Sequence, residues 1–168
     1  MYAGETNGRQ PRRDQRVGVG IIGFSAGFFL HVIAMMTPYW VVLDHSNYNG
    51  LWYGCKLYSF EQYCRYIPTR NNSAEESMSL LALACCIFTL IGIAHHSWKR
   101  NRKSLLVLTG CILLSGVFAL FTVILFGVKH PKYLSWSFKL DCASAAILLL
   151  SAGICVSGIG QDQYDMLS

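Results

Sequence analysis

Charged residues are scarce in this chain of 168 residues, because Asp, Glu, Lys and Arg together make up only 14% of it. A soluble globular domain carries about 25%. The few charges are confined to short stretches, and the segments between them are almost entirely apolar. This distribution excludes an ordinary soluble domain. It also excludes a basic nucleic-acid-binding protein, despite the net charge of +5, and is typical of a chain surrounded mainly by lipid.

Sequence motifs of catalysis are missing as well. The chain has no nucleophile elbow, no HExxH zinc motif and no phosphate-binding glycine loop. No pair of carboxylates is predicted to share a cavity. We therefore predict that the protein is not an enzyme and has no catalytic residues, no metal site and no cofactor.

Four apolar segments are long enough, or nearly so, to cross a bilayer, which takes about 20 residues of helix. In chain order, we predict spans at 17–37, 77–94, 104–128 and 136–160. The rest of the chain forms two tails, 1–16 and 161–168, and three loops, 38–76, 95–103 and 129–135. The prediction is a single domain, an all-α membrane protein with a bundle of four transmembrane helices.

Basic residues predict the orientation of the bundle, because short loops rich in Lys and Arg stay in the cytoplasm. Such residues concentrate in the tail 1–16 and in the loop 95–103. We therefore place both termini and that loop in the cytoplasm, and the loops 38–76 and 129–135 outside the cell. A basic tail before an apolar run also resembles a cleaved signal peptide, but this run exceeds the roughly 7 to 15 residues of such a signal.

Only two of the seven cysteines, Cys55 and Cys64, fall in the long outer loop, where an oxidising environment lets disulfides persist. Pairing them leaves no free outer thiol, and two thiols without a nearby His are too few ligands for zinc. The flanking segments 52–60 and 62–67 are aromatic and nearly alternating, which is typical of half-exposed strands, and 46–50 has turn chemistry. We predict a small extracellular antiparallel β-sheet, stapled by the Cys55–Cys64 disulfide.

The outer loop also contains a sequence signature. Its residues are Trp40, Gly50, Leu51, Trp52, Cys55 and Cys64. They resemble the W…GLW-x-x-C…C pattern of the claudin, peripheral myelin protein and epithelial membrane protein superfamily. The pattern lies between the first and second of four spans, as it does in that family.

The resemblance implies a sheet built mostly from the first outer loop, with the second outer loop contributing its edge. It also implies roles in cell–cell contact, paracellular barriers, membrane compaction or channel modulation. The end of this chain, residues 165–168, lacks the terminal Tyr-Val of barrier-forming claudins. Direct binding to junctional scaffold domains through the C-terminus is therefore doubtful.

Three features suggest modification or sorting, and each has a simpler interpretation. Asn71 begins a glycosylation sequon, although it lies close to the second span. Cys155 is a candidate for palmitoylation near the inner end of the fourth span, or a buried packing thiol. Tyr164 and Leu167 resemble a tyrosine-x-x-hydrophobic endocytic signal in a tail expected to be disordered, or a chance match.

Two polar residues, His31 and Asp141, lie inside predicted spans, where they are costly. We expect His31 to bond to a neighbouring helix, and Asp141 to approach the outer interface with Lys139 or His130 as its partner. Small residues spaced by four, Gly23 and Gly27, allow another helix to approach closely. That helix belongs either to this chain or to a second copy.

Two functions from different classes fit the sequence. The first is a non-enzymatic, claudin-like plasma membrane protein that makes cell–cell contacts or organises junctions, with itself or related four-span proteins as partners. The second is an auxiliary subunit of an ion channel or receptor, similar to the stargazin-like branch. The candidate contact residues on the sheet are Tyr48, Tyr53, Tyr58, Phe60, Tyr63 and Tyr66, some of which are expected to pack on the helices instead.

Overall fold

The computed structural model describes residues 10–44, 46–58, 61–66, 73–99 and 102–165. Its helices are α1 (Gln10–Met36), α2 (Ser73–Lys99), α3 (Arg102–Lys129) and α4 (Trp136–Asp165). Its strands, all between α1 and α2, are β1 (Val41–Asp44), β2 (Asn47–Asn49), β3 (Tyr53–Tyr58) and β4 (Glu61–Tyr66). We call the end of the bundle that carries the strands the sheet end.

Each helix contains a stretch long and apolar enough to cross a membrane. These stretches are Gln15–Met36, Ala74–Trp98, Lys103–Lys129 and Trp136–Ile159. Their outward faces are apolar too, with large exposed side chains such as Ile22, Phe88 and Val107. In a bilayer these faces contact lipid, which offers no partner for polar groups. The predicted four-span bundle is confirmed.

The helices extend past the predicted spans. α2 includes residues 73–76 of the predicted outer loop and 95–99 of the predicted loop 95–103. α1 begins inside the predicted tail 1–16, and α4 continues into the predicted tail 161–168. An apolar run shows only which part of a helix lies in the hydrocarbon, whereas the backbone hydrogen bonds of the helix continue into the polar residues beyond that run. His96 near the end of α2 contacts Ser104 near the start of α3, with Nδ1 and Oγ 2.8 Å apart.

Two apolar clusters organise the interior. The larger lies among the helices, where α1 packs on α4, α4 on α3 and α3 on α2, and it includes Phe24, Ile112 and Leu148. The smaller lies at the sheet end and joins strand residues to helix residues, including Trp40 and Phe126. The sheet therefore shares a core with the bundle.

The sheet is antiparallel throughout, in the order β1-β2-β3-β4. Its β1 edge is covered by the connection between α3 and α4: the Val42 N–H donates to the Tyr133 carbonyl at 3.1 Å, and the Ser135 N–H donates to the Trp40 carbonyl at 2.9 Å. This bears out the edge expected of the second outer loop. The predicted turn 46–50 differs, because Asn47–Asn49 forms β2 between β1 and β3.

Candidate interaction surface on the sheet

Trp40 fixes the point at which the chain leaves α1. Its side chain is fully buried, and its ring meets Phe126 of α3 edge-on, with centroids 4.8 Å apart. Its indole Nε1–H donates to the Ala34 carbonyl of α1 at 2.7 Å. This bond satisfies a carbonyl in the last turn of a helix, a group that lacks a partner within the helix. Trp40 therefore anchors β1 to the bundle.

The next three signature residues form the base of the sheet. Gly50 lies against the backbone of Pro38, and Leu51 is fully buried beside Trp40. Trp52 is half-buried against the same cluster, and its Nε1 has no hydrogen-bond partner in the described part of the chain. The signature therefore builds the junction between sheet and bundle, and its apolar members are not contact residues.

The predicted disulfide is confirmed. Cys55 of β3 and Cys64 of β4 are directly opposite in the sheet and bonded through their Sγ atoms. Cys55 is almost fully buried and also faces Tyr48 of β2, whereas Cys64 is exposed. The bond therefore ties the exposed strand β4 to the part of the sheet that packs on the bundle.

A groove of about 700 Å³ runs across the other face of the sheet. Tyr58, Tyr63 and Lys56 contribute to its lining, and Arg65 stands beside them. Register explains the grouping, because Lys56 pairs with Tyr63 and side chains two residues apart on a strand share a face. Among the described lining residues there are two positive charges and no negative one. The lining of the groove is therefore aromatic and positively charged, while Glu61, which pairs with Tyr58, shares this face of the sheet outside the lining.

Strand β4 bounds this groove and is exposed at all six of its residues. Within the described ranges no strand pairs with its outer edge. An unpaired edge offers N–H and C=O groups to another chain. The groove and this edge together form what we call the sheet surface.

The expected contact tyrosines divide into two sets. Tyr48 is buried and stacks on Tyr39, with centroids 4.7 Å apart, so it packs on the bundle. Tyr53 and Tyr66 are exposed and meet edge-on at 5.9 Å, while Tyr58 and Tyr63 are exposed in the groove, as described above. Phe60 lies outside the described residues.

An ion pair that the sequence analysis did not anticipate joins α2 to α3 at the sheet end. Lys129 Nζ lies 3.3 Å from Glu75 Oε1. The ring of the adjacent His130 lies against that of Phe126, with centroids 4.8 Å apart and the ring planes tilted by 44°. Burial lowers the pKa of His130, the charge of Lys129 lowers it further, and the charge of Glu75 opposes them. Glu75 and Lys129 lie far apart in the sequence, so no local sequence pattern could have indicated this ion pair.

His31 bonds to a neighbouring helix, as expected, but the expected partners of Asp141 are wrong. Asp141 Oδ1 lies 2.6 Å from His31 Nδ1, and both side chains are fully buried. Lys139 is exposed instead. Two residues along a helix differ by about 200° in direction, so Lys139 faces away when Asp141 points inward.

The glycine face of α1 packs on α4 of the same chain. A Cβ at each glycine would meet an α4 side chain, in the pairs Gly20 with Cys155, Gly23 with Ser151 and Gly27 with Leu148. The small-residue face is therefore occupied inside the monomer, which resolves the two alternatives for Gly23 and Gly27.

The three modification and sorting candidates fare differently. Cys155 is fully buried against Gly20, so of its two interpretations the structure favours the packing thiol. Tyr164 lies in the final turns of α4, where a disordered tail was expected, and an extended signal would require this end to unwind. Leu167 and Asn71 lie outside the described residues.

A bundle of four membrane-crossing helices with a disulfide-stapled antiparallel sheet at one end defines a multi-pass membrane protein of claudin-like architecture. Residues 16–160 match the model of the PMP-22/EMP/MP20/Claudin family, and the chain belongs to this family. The match spans the whole sheet and reaches from α1 into α4. No individual curated protein sequence matches the chain.

Proposed function

We propose that the protein makes contacts between cells, or organises junctions within one membrane, by docking its sheet surface on a partner. The partner is a second copy of this chain or a related four-span protein. The observation that carries the proposal is the electropositive groove with tyrosines beside the exposed strand β4. Tyr and Arg are enriched at protein interfaces, where they supply large contact area and hydrogen bonds.

The proposal requires that the sheet face the outside of the cell. Support comes from the opposite end of the bundle, where Lys103 begins α3's apolar stretch and Lys99 and Arg102 lie at the adjoining helix ends. Basic residues of this kind stay cytoplasmic. The protein is then a plasma membrane protein with both termini in the cytoplasm and a disulfide in the oxidising compartment that favours it.

Recognition by the sheet surface needs no turnover, so the proposed role is non-enzymatic. Long-range attraction of the groove falls with salt, because exposed charges are screened over about 8 Å at physiological ionic strength. The tyrosines contribute a contact that salt does not screen. The partner surface is therefore expected to present acidic groups next to apolar ones.

A mixed-cell experiment tests the proposal. Cells that express the tagged protein are grown beside cells that do not, and the protein is imaged at both kinds of boundary. We expect enrichment where two expressing cells meet, and its loss when Lys56→Glu and Arg65→Glu are combined. The control is Lys132→Glu at another exposed site. It reverses one positive charge outside the groove and is compared with Lys56→Glu alone as well as with the double variant.

Two results would overturn the proposal. One is equal signal at both kinds of boundary together with no self-association in the membrane. The other is equal enrichment of the groove variant and the parent. An ion channel or receptor recovered in stoichiometric amount from the same cells would favour the auxiliary-subunit function.

A further inference from the structure

The imidazole of His31 is held between two oxygen atoms on different helices. Nδ1 faces Asp141 Oδ1 of α4 at 2.6 Å, and Nε2 faces the Ser79 backbone carbonyl of α2 at 3.4 Å. All three residues are fully buried and lie within the apolar stretches of their helices. This site is separate from the sheet surface and has no part in the function proposed above.

Hydrogen-bond chemistry determines how many protons the site holds. A carbonyl oxygen accepts and cannot donate, so a favourable contact with Ser79 requires a proton on Nε2. A second proton must then lie between Nδ1 and Oδ1, because two bare lone pairs would repel each other at 2.6 Å. Whether that proton is nearer nitrogen or oxygen, His31 and Asp141 together carry two protons and no net charge.

The alternative is an ionised Asp141 that accepts from Nδ1–H, with Nε2 bare. That arrangement would place a lone pair of Nε2 against the Ser79 carbonyl. It would also bury one net negative charge, which is strongly unfavourable in a membrane bundle. Asp141 Oδ2 is buried without a hydrogen-bond partner in the described part of the chain, so half of that charge would be uncompensated.

Among the side chains that the structure describes near the site on α2 and α4, no charged group offsets this negative charge. On α2, Glu75 and Glu76 lie one turn or so before Ser79 and have the same sign as an ionised Asp141. On α4, Cys142 is neutral as a thiol and Lys139 is exposed. The surroundings therefore favour the neutral pair.

The site lies in the contact between α1 and α4, close to the base of the sheet. Along the contact between α1 and α4, it lies between a Thr37–Ser137 hydrogen bond of 2.8 Å and a bond of 2.8 Å from Ser144 Oγ to the Gly27 carbonyl. The chain segments that follow α1 and precede α4 are the ones that pair at the β1 edge of the sheet. The register of the two helices thus sets the base of the sheet.

We propose that His31, Asp141 and the Ser79 carbonyl form a buried proton-binding site that holds two protons without net charge and fastens α1 to α4 and α2 beneath the sheet. His31 and Asp141 act as positioning residues. The ligand class is the proton itself.

Nitrogen NMR on the intact protein in lipid nanodiscs tests the proton count. Replacing His45, His95, His96 and His130 by Gln leaves His31 as the single ¹⁵N-labelled histidine. We expect Nε2 to show a directly bonded hydrogen at neutral pH. A bare Nε2 with a protonated Nδ1 would mean that the pair holds one proton and carries a net negative charge, and it would overturn the proposal.

A mutant cycle tests the fastening. His31→Leu and Asp141→Leu each leave one buried polar partner unsatisfied, whereas the double variant removes both. We expect each single change to lower the folded-to-unfolded ratio at least about tenfold. In the double variant, the fold-decrease of this ratio should be smaller than the product of the two single fold-decreases. Losses that multiply would show that the residues act independently, and fastening would be rejected. Asp141→Asn should retain most of the parent's stability, because its amide can donate to Nδ1.

Discussion

Gly50 and Pro38 are in contact backbone to backbone. A Cβ built on Gly50 would lie 2.6 Å from Pro38 Cα and 2.8 Å from the Thr37 carbonyl oxygen. No described glycine has a positive φ, so the requirement for glycine here is close approach and not an unusual backbone conformation. Gly50 directly follows β2 and precedes the buried Leu51. Its contact with Pro38 therefore determines how closely the sheet approaches the bundle.

Gly50→Ala should therefore destabilise the protein. The atoms that a methyl group would meet belong to the backbone, and they cannot rotate away as a side chain can. We expect a loss of about 1–3 kcal/mol, which is typical of overpacking, and reduced delivery to the cell surface. Thermal unfolding in detergent and surface biotinylation measure the two effects.

The matched control is Gly153→Ala, because a Cβ at Gly153 has no neighbour within 4 Å. It should behave like the parent or better, since alanine is favoured over glycine in helices. Equal behaviour of the two alanine variants would contradict the close-approach explanation.

The two signature tryptophans should respond differently to replacement by Phe. Trp40→Phe removes the Nε1–H bond to the Ala34 carbonyl, which then keeps only the bond from the Thr37 hydroxyl at 3.0 Å, so we expect a cost of about 0.5–1.5 kcal/mol. Trp52→Phe removes an Nε1 that has no partner in the described chain, so its hydrogen-bond cost is absent. Both changes shrink the ring equally. The unfolding temperatures of the two variants measure the difference. A larger drop for Trp52→Phe than for Trp40→Phe would contradict a stabilising Trp40 hydrogen bond.

Local sequence pattern was sufficient for the helices and the disulfide. Long apolar runs indicate membrane helices whatever their partners, and Cys55 and Cys64 were the outer-loop cysteines available to pair. The strands β1 and β2 were not predicted, because four and three residues are too few to show alternation. The Asn residues of β2 also favour turns, and pairing on both sides overrides that preference.

The bond between His31 and Asp141 joins residues 110 positions apart. The sequence of one helix cannot identify which residue of another helix it will pair with. A signal was nevertheless present in α4, where small or polar residues recur at alternating spacings of four and three: Ser137, Asp141, Ser144, Leu148, Ser151 and Cys155 are the series, with Leu148 its one large apolar member. This spacing marks one face of a helix, and it is the face that meets α1.

Mild acid should lower stability through His130. Because its pKa is lowered from 6.5 in the folded protein, the unfolded chain takes up this proton first as the pH falls. Stability is therefore unaffected by His130 well above pH 6.5 and declines as the pH falls through and below that value. We expect the fall in unfolding temperature between about pH 7.5 and 5.5 to be smaller in His130→Gln than in the parent. His95→Gln, at an exposed site, is the control, and an equally reduced fall there would contradict the prediction.

Gly20 and Cys155 should behave as a size-complementary pair. A Cβ at Gly20 would overlap Cys155 Sγ, and it would also come within 3.2 Å of the Ser151 carbonyl oxygen. Gly20→Ala should therefore push α1 from α4 and lower the unfolding temperature. Adding Cys155→Ala removes the overlapping sulfur, so the double variant should recover most of the loss, while Cys155→Ala alone leaves only a small cavity.

The same series tests the thiol's environment, because a maleimide probe should label Cys155 poorly in the folded parent and more in Gly20→Ala. If Cys155→Ala gives no rescue, or if the parent thiol is labelled as fast as that of an unfolded control, Cys155 does not pack against Gly20 and the acylation alternative returns.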